Sequence, residues 1–205
     1  MITSIIYAII AYFLGNIMGG KLLEKIYKED LSKAGSGNVG ARNAGRVLGT
    51  RSFIFVLAVD FFKGFLIVIL LKILNVEAIT IYVCILFVIL GHIKPILFNF
   101  KGGKGVATFF GTMAALSLNL FLVLILCTVV IAVIIKSLTI GFYSSLPLIT
   151  FLNYIETRSF TILIIFILIV LLVSVVGVKD IEQAFEKYFR TPVKKKPTVK
   201  KKPAR

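Results

Sequence analysis

Residues 160–178 read FTILIIFILIVLLVSVVGV, and no charged residue interrupts them. A helix needs about 20 predominantly apolar residues to cross a bilayer, with a working range of roughly 17 to 25. Three further segments meet this requirement directly, namely 2–20, 53–74 and 79–98. The pattern therefore predicts an all-α polytopic membrane protein.

The composition of the whole chain agrees with this prediction. Hydrophobic residues make up 59% of the 205 residues and charged residues only 16%, against roughly 45 to 50% and about 25% in ordinary soluble domains. These values exclude a soluble enzyme, a disulfide scaffold and a disordered chain. The cysteines, Cys84 and Cys127, lie inside apolar runs without a partner motif, so we interpret both as packing residues.

The apolar stretch from Val106 to Asn153 is too long for one helix, and polar residues and Pro147 interrupt it. We divide it into three helices, over 106–118, 119–136 and 138–153. The first would rise only about 20 Å, whereas the hydrocarbon core is roughly 30 Å thick. We therefore expect about seven transmembrane helices, of which at least one is short or re-entrant.

The distribution of basic residues predicts the orientation, because cytoplasmic loops carry an excess of Lys and Arg. The net charge is +15, and seven basic residues fall in 21–52, two in 99–105 and ten from Lys179 to the end. With an odd number of crossings and the N-terminus outside, all three regions lie in the cytoplasm. We therefore predict an outside N-terminus and a cytoplasmic C-terminus.

The stretch GSGNVGARNAGRVLG, residues 35–49, predicts a phosphate site at the membrane surface. Closely spaced glycines allow backbone N–H groups to converge on an anion, and Gly35, Gly37 and Gly40 have this spacing. They also match a dinucleotide-binding fingerprint, but that motif requires a preceding β-strand, and a membrane helix precedes them here. The alternative interpretation is a flexible cytoplasmic loop.

Polar side chains in this stretch support the phosphate interpretation. Ser36 and Asn38 are favourable helix N-caps and can add side-chain hydrogen bonds. Arg42 and Arg46 are four residues apart, so they share one face of a following helix, with Asn43 beside them. We expect these side chains to contact a phosphorylated substrate, unless the arginines only follow the positive-inside rule.

A second cluster, FKGGKGVAT at residues 100–108, repeats this chemistry. Lys101 and Lys104 supply point charges for phosphate, and the cluster precedes a helix, whose N-terminal amides favour anions. Close backbone approach to the ligand would use three glycines, Gly102, Gly103 and Gly105. The alternative is a tight turn with positive-inside lysines. Two such clusters on one face suggest two phosphates or one large phosphorylated substrate.

Ionisable residues within the second and third spans are predicted to support this site structurally. Asp60 and Lys63 are three residues apart on one helix, and a single charge at mid-membrane costs about 2.5 to 3.5 kcal/mol, so such residues usually pair. His92, the sole histidine, is a general base or a hydrogen-bonded structural residue, and we favour the second role. Whether the ion pair also binds a ligand stays open.

The C-terminal region divides into two parts. Residues 179–190 have apolar positions at helical spacing, which predicts an amphipathic helix at the membrane interface, within one membrane-embedded domain over 1–190. Residues 191–205 are a crude repeat of lysine and proline. They predict a disordered polybasic tail that is attracted to anionic lipid by about 1 kcal/mol per basic residue, or one that is merely solvated.

Five motifs together resemble the bacterial acyl-phosphate:glycerol-3-phosphate acyltransferases: YFLGN at 12–16, GSGNVGARNAGRVLG at 35–49, VDFFKG at 59–64, GHIKP at 91–95 and FKGGKGVAT at 100–108. The resemblance implies transfer of a fatty acyl group from acyl phosphate to the 1-hydroxyl of glycerol 3-phosphate. The products are lysophosphatidic acid and phosphate, in the first acylation of phospholipid synthesis. It implies a bacterial inner-membrane enzyme with a cytoplasmic active site and no metal, cofactor, acyl-CoA, nucleic acid or protein partner.

The resemblance also implies roles for particular residues. The acyl phosphate would be held by Ser36, Gly37, Asn38 and Gly40, and glycerol phosphate by Arg46 and Lys104. Ser144 or Ser145 would add a hydroxyl to the phosphate pocket.

The chain departs from the family pattern at two places. The family usually has Thr at the position of Arg42, and it has a His and an Asn near the C-terminus where this chain has Gly177 and Asp180. We expect Arg42 to supply the charge neutralisation that the missing pair provides. The alternatives are a catalytically weakened paralogue and a non-enzymatic membrane protein, such as an anion transporter or a lipid sensor.

Overall fold

The computed structural model describes residues 2–189 and confirms an all-helical fold. The described chain forms nine α-helices and one short 3₁₀ turn at Ile96–Phe98. The α-helices are α1 (Ile2–Gly15), α2 (Gly19–Tyr27), α3 (Ala41–Leu48), α4 (Thr50–Ile73), α5 (Ala78–Ile93), α6 (Val106–Leu116), α7 (Leu118–Ile135), α8 (Leu138–Thr157) and α9 (Phe160–Phe189).

Six segments of the described chain are long and apolar enough to cross a membrane, and a shorter apolar helix accompanies them. The short one is α6, whose 11 residues rise about 17 Å. Each apolar segment identified in the sequence is therefore helical, and the prediction of one short member is confirmed. The outer surface carries many exposed apolar side chains, for example Val133 and Ile134 at 72% and 74% exposure, as a lipid environment requires.

Two of the expected helices are interrupted. The segment expected over 79–98 ends its α-helix at Ile93, because Pro95 lacks an N–H and disfavours helical geometry at the residue before it. The segment expected over 2–20 breaks between α1 and α2. The carbonyl oxygens of Gly15 and Ile17 at this break accept hydrogen bonds from the Lys63 ammonium, which compensates for the lost helical bonds.

The last helix is longer than a bilayer crossing needs. Residues 179–189 continue α9 without a break, so α9 has 30 residues and extends over about 45 Å. Its final turns therefore extend beyond a hydrocarbon core of roughly 30 Å. The polybasic tail expected over 191–205 lies outside the described residues.

Glycines fix how closely the helices approach. A Cβ on Gly64 or Gly111 would overlap backbone atoms of the other helix in the α4–α6 pair. The same holds for Gly15 and Gly91 between α1 and α5. Small residues let membrane helices pack backbone against backbone, and here they hold the N-terminus of α6 at a fixed place beside α4.

The connections alternate between the two ends of the bundle. Both glycine-rich loops, 28–40 and 99–105, lie at the same end as the α7–α8 turn at Lys136 and the last turns of α9. The short turns at 74–77 and 158–159 lie at the opposite end. The two predicted phosphate clusters are therefore brought to one face of the molecule.

Candidate active site

A cavity of about 950 Å³ lies between the two glycine-rich loops and the facing ends of α8 and α9. Its walls carry five basic residues, Arg42, Arg46, Lys104, Lys136 and Lys187, and two acidic residues, Asp60 and Asp180. An excess of positive charge in a partly enclosed space concentrates anions. The cavity is therefore suited to a ligand with more than one negative charge.

Two helix N-termini face this cavity without a side-chain cap. Helix α3 begins after Gly40 and α6 begins after Gly105, and neither N-cap residue makes a side-chain hydrogen bond. The first amides of a helix lack partners within it and carry partial positive charge, so both ends can bind an anion. Ser36 and Asn38 were expected as N-caps. This expectation is wrong for α3, because its N-cap residue is Gly40. The Asn38 side chain instead accepts a hydrogen bond from the Gly40 N–H at 3.3 Å.

Asn43 holds the first glycine-rich loop together. Its Nδ2 donates to the carbonyl oxygens of Leu31 (3.0 Å) and Ala34 (2.9 Å), and its Oδ1 accepts from the Ser36 N–H at 2.7 Å. Gly35 has a φ of +58°, and a Cβ there would overlap the Asn43 side chain. Both amide N–H groups of Asn43 are therefore used in shaping the loop rather than in reaching a ligand.

The same loop begins with a turn at Asp30. Ser32 donates both its hydroxyl (2.5 Å) and its backbone N–H (3.0 Å) to Oδ1 of Asp30. The hydroxyl hydrogen bond holds the pKa of the Asp30 carboxyl below its usual value. This carboxylate does not line the cavity, so the loop contributes its negative charge away from the basic walls.

The second glycine-rich loop packs on the end of α5. The Gly103 N–H donates to the His92 carbonyl oxygen at 3.1 Å, and a Cβ on Gly102 or Gly103 would overlap His92. Neither glycine lines the cavity, and Lys101 is exposed outside it. Within the loop 99–105, only Lys104 and Gly105 reach the cavity, so Gly102 and Gly103 serve packing instead of the expected ligand approach.

The buried ion pair predicted from the sequence is present. Lys63 Nζ lies 3.3 Å from Asp60 Oδ1, and both side chains are 3% exposed. The ammonium also donates to the carbonyl oxygens of Gly15 (2.9 Å) and Ile17 (2.6 Å). Asp60 accepts from the backbone N–H of Gly19 at 3.3 Å. The pair therefore joins α4 to both sides of the break between α1 and α2.

His92 completes this cluster, and its hydrogen bond fixes its tautomer. Its Nδ1 lies 2.6 Å from Lys63 Nζ. An ammonium group has donors and no acceptor, so Nδ1 accepts and the ring proton is on Nε2. A nitrogen that already carries a proton cannot remove one from a substrate. This geometry favours the structural role for His92, whose side chain also reaches the cavity wall together with Asp60.

Three cations from the glycine-rich segments line the cavity, and their interactions differ. Arg42 donates from Nη1 to the Thr139 hydroxyl at 3.0 Å, and Lys104 forms an ion pair with Asp180. Arg46 forms no hydrogen bond or ion pair with any residue between 2 and 187. The Arg46 guanidinium therefore has all its N–H donors available to a ligand.

The two serines expected from the resemblance do not reach the cavity. Ser145 is buried within α8, where it donates to the Phe142 carbonyl oxygen at 2.7 Å, and Ser144 is exposed on another side. Thr139 and Tyr143, four residues apart on α8, line the cavity instead. Sequence reasoning missed both, although their i, i+4 spacing at the start of a helix after Lys136 was visible.

The structure thus separates the expected site residues into two groups. The cavity is lined by Ser36, Asn38, Gly40, Arg42, Asn43, Arg46, Asp60, His92, Lys104 and Gly105. It is not lined by Gly35, Gly37, Lys63, Lys101, Gly102, Gly103, Ser144 or Ser145. The polar side chains of both sequence motifs therefore meet in one place, while most of the glycines shape the loops behind them.

Comparison with known proteins identifies the family of the chain. A family model described as glycerol-3-phosphate acyltransferase matches residues 5–187. The chain belongs to this family. Among glycerol-3-phosphate acyltransferases, the one from Finegoldia magna is 39% identical over 67% of this chain and 69% of the relative. The one from Blochmanniella floridana is 34% identical over 80% of this chain and 84% of the relative.

Crystal structures from the glycerol-3-phosphate acyltransferase family have the same fold. PlsY (YgiH), an integral membrane glycerol 3-phosphate acyltransferase, superposes in its glycerol 3-phosphate form with a TM-score of 0.82. The identity is 29%, and the match covers 91% of this chain and 94% of that one. Its lysophosphatidic acid form superposes with a TM-score of 0.79. The likeness therefore extends over nearly the whole bundle.

Proposed function

We propose that this protein is a membrane acyltransferase that transfers a fatty acyl group to glycerol 3-phosphate and gives lysophosphatidic acid. The observation that carries the proposal is the basic cavity, into which two uncapped helix N-termini point. Family membership supports it, as do the glycerol 3-phosphate and lysophosphatidic acid forms of PlsY. This reaction belongs to phospholipid synthesis.

An apolar groove next to the cavity supports acyl phosphate as the donor. The groove has a volume of about 370 Å³ and is lined by side chains of α4, α6 and α7, namely Ile54, Leu57, Ala58, Phe61, Phe110, Phe121 and Ile125. Leu57 and Phe110 line both the groove and the cavity. A molecule with a phosphate head and a fatty chain can therefore place its head in the basic cavity and its chain in the groove.

The proposed chemistry is a direct acyl transfer. The 1-hydroxyl oxygen of glycerol 3-phosphate attacks the carbonyl carbon of the mixed anhydride and forms an ester bond. The bond between that carbon and the phosphate oxygen breaks, and the hydroxyl proton leaves with the released phosphate. Because acyl phosphate is already activated, the protein has to position both reactants and neutralise charge on the leaving group and the oxyanion.

We assign the roles by position in the cavity. Ser36, Asn38 and the N-terminus of α3 hold the phosphate of the donor in the cavity, which shares the lining residues Leu57 and Phe110 with the groove. Arg46 and Lys104 bind the phosphate of glycerol 3-phosphate. The cluster of Asp60, Lys63 and His92 supports the cavity from behind. The reaction as proposed needs no metal and no acyl-CoA.

Purified protein in detergent, given hexadecanoyl phosphate and glycerol 3-phosphate, tests this proposal. We expect lysophosphatidic acid and phosphate to form in equal amounts, and no lysophosphatidic acid when acyl-CoA replaces the acyl phosphate. Phosphate release without lysophosphatidic acid would indicate a hydrolase. Folded protein that forms neither product would reject the enzyme and favour a non-enzymatic relative.

The groove makes a prediction about chain length. Ala58→Trp fills the middle of the groove, and each methylene kept out of an apolar site costs about 0.8 kcal/mol. Excluding two methylenes should therefore lower kcat/KM for hexadecanoyl phosphate about tenfold. A short donor such as butanoyl phosphate should be little affected. Leu66→Trp, an exposed position on the same helix, is the control, and equal losses with long and short donors would contradict the assignment.

The protein is an integral membrane protein with several spans, and the distribution of its basic residues supports a proposal for its orientation. The basic loops, Lys136 and the last turns of α9 all lie at the cavity end. We propose that this end faces the cytoplasm of a bacterial cell, that the protein lies in the inner membrane, and that the N-terminus is outside. The polybasic residues 191–205 would then contact anionic lipid of the cytoplasmic leaflet.

Cysteine labelling in intact cells tests this orientation. In a Cys84→Ala, Cys127→Ala background, Ser32→Cys and Lys101→Cys should be shielded from an impermeant thiol reagent, because both exposed positions lie at the cavity end. Glu77→Cys, exposed at the opposite end, should be labelled. Labelling of Ser32→Cys or Lys101→Cys with protection of Glu77→Cys would reverse the proposed orientation.

A further inference from the structure

Helices α8 and α9 fit together at a glycine beside the cavity. A Cβ added to Gly177 on α9 would overlap the phenol hydroxyl of Tyr143 on α8. Gly177 is buried within the helix and has no positive φ, so its backbone does not require glycine. The missing side chain instead leaves the space in which the Tyr143 hydroxyl lies.

This hydroxyl lies among charged groups of the cavity. Tyr143 lines the cavity, and both Arg42 and Asp180 are close enough to interact with it electrostatically. Arg42 donates a hydrogen bond to Thr139, which lies one turn before Tyr143 on α8. Asp180 forms an ion pair with Lys104. Between residues 2 and 187, no group forms a hydrogen bond with the Tyr143 hydroxyl. Its O–H donor is therefore available.

The ring that carries this hydroxyl is held in place. Tyr143 packs edge to face against Phe142, with ring centroids 4.9 Å apart, and Phe142 packs in turn against Phe110 at 5.3 Å. Tyrosine has only two side-chain torsions to order, and such ring pairs restrict them further. The hydroxyl is thus presented to the cavity at a defined position, which lowers the entropy cost of binding a ligand there.

We propose that the Tyr143 hydroxyl binds the acceptor, glycerol 3-phosphate, and that Gly177 is the residue that gives it room to do so. The inference rests on the proposed function. The α8–α9 wall around Tyr143 carries the polar side chains Thr139, Asp180, Gln183 and Lys187, whereas the groove for an acyl chain is on α4, α6 and α7. A small acceptor that is polar throughout fits the polar wall, where a phenol O–H and the Arg42 guanidinium can both donate to its oxygens.

The variant Tyr143→Phe tests the hydroxyl alone, because it keeps the ring and its packing. Loss of one hydrogen bond to a charged ligand should raise the KM for glycerol 3-phosphate about tenfold or more. The KM for acyl phosphate and the thermal unfolding temperature should not change. Tyr154→Phe, on the same helix and outside the cavity, should change neither KM. An unchanged KM for glycerol 3-phosphate in active Tyr143→Phe would overturn the inference, whereas inactive wild-type protein would overturn the proposed function.

A double-mutant cycle tests the role of Gly177. Gly177→Ala should raise the KM for glycerol 3-phosphate as Tyr143→Phe does, because the new methyl group displaces the hydroxyl. In a Tyr143→Ser background, with the ring removed, Gly177→Ala should add less than a twofold change. If the fold-changes in KM caused by the two substitutions multiply in the double variant, the two residues do not act through this contact. Should Gly177→Ala not fold, its rescue by Tyr143→Ser would support the contact, and a lack of rescue would count against it.

Discussion

Replacing Lys63 by methionine should strongly destabilise the protein. The variant leaves the Asp60 carboxylate buried without its cation and removes two hydrogen bonds to the break between α1 and α2. Breaking a buried pair by removing one partner costs about 3 to 5 kcal/mol, a large part of a typical stability of about 5 to 15 kcal/mol. We expect a much lower unfolding temperature in detergent and little folded protein in cells.

Two further variants make this experiment specific. Lys72→Met, on the same helix, removes a cation that is exposed and binds only the last carbonyl groups of α6, so it should cost less than about 1 kcal/mol. The double variant Asp60→Asn, Lys63→Met removes both charges and should recover part of the stability, because neutral replacement of a buried pair is often tolerated. Equal stability of Lys63→Met and Lys72→Met would contradict the structural role.

Removing Arg46 or Lys104 should abolish most of the activity without unfolding the protein. Both line the cavity, and truncating one partner of a desolvated charge pair costs roughly 2 to 5 kcal/mol. Arg46→Ala and Lys104→Ala should therefore lower kcat/KM by at least about 30-fold, with a raised KM for glycerol 3-phosphate. Steady-state kinetics with the acceptor varied measures both quantities.

Lys101→Ala is the matched control, because it removes a lysine of the same loop that lies outside the cavity. It should reduce kcat/KM only slightly, through the general field of the loop. Similar losses at all three positions would mean that positive potential alone attracts the substrates, and that no specific phosphate contact exists at Arg46 or Lys104.

The helices were predictable because a bilayer offers a long apolar segment few alternatives to a helix. The positions at which two of these helices are interrupted were harder to predict. The end of α5 near Pro95 follows from a local rule, but the break between α1 and α2 depends on Lys63, which is distant in sequence and supplies the compensating hydrogen bonds. An interaction over that separation leaves no trace in the hydropathy of the segment itself.

The site shows the same division between local and distant causes. The cations Arg42, Arg46 and Lys104 were identifiable from their motifs, and the fold brings all three to one cavity. The function of a glycine depends on what lies against it, which the motif does not contain. Gly177 therefore looked like a lost side chain, whereas the structure shows its space occupied by a residue from another helix, Tyr143.

The ion pair between Lys104 and Asp180 bears on how the protein selects among the many small anions of a cell. An arriving phosphate competes with the Asp180 carboxylate for the Lys104 ammonium. Chloride or a monocarboxylate carries one negative charge, as the Asp180 carboxylate does. Replacing Asp180 by either anion should therefore gain little binding free energy. A dianion such as glycerol 3-phosphate carries a second charge, which the Arg46 guanidinium in the same cavity is expected to bind. We therefore expect the cavity to prefer divalent over monovalent anions, whatever their shape.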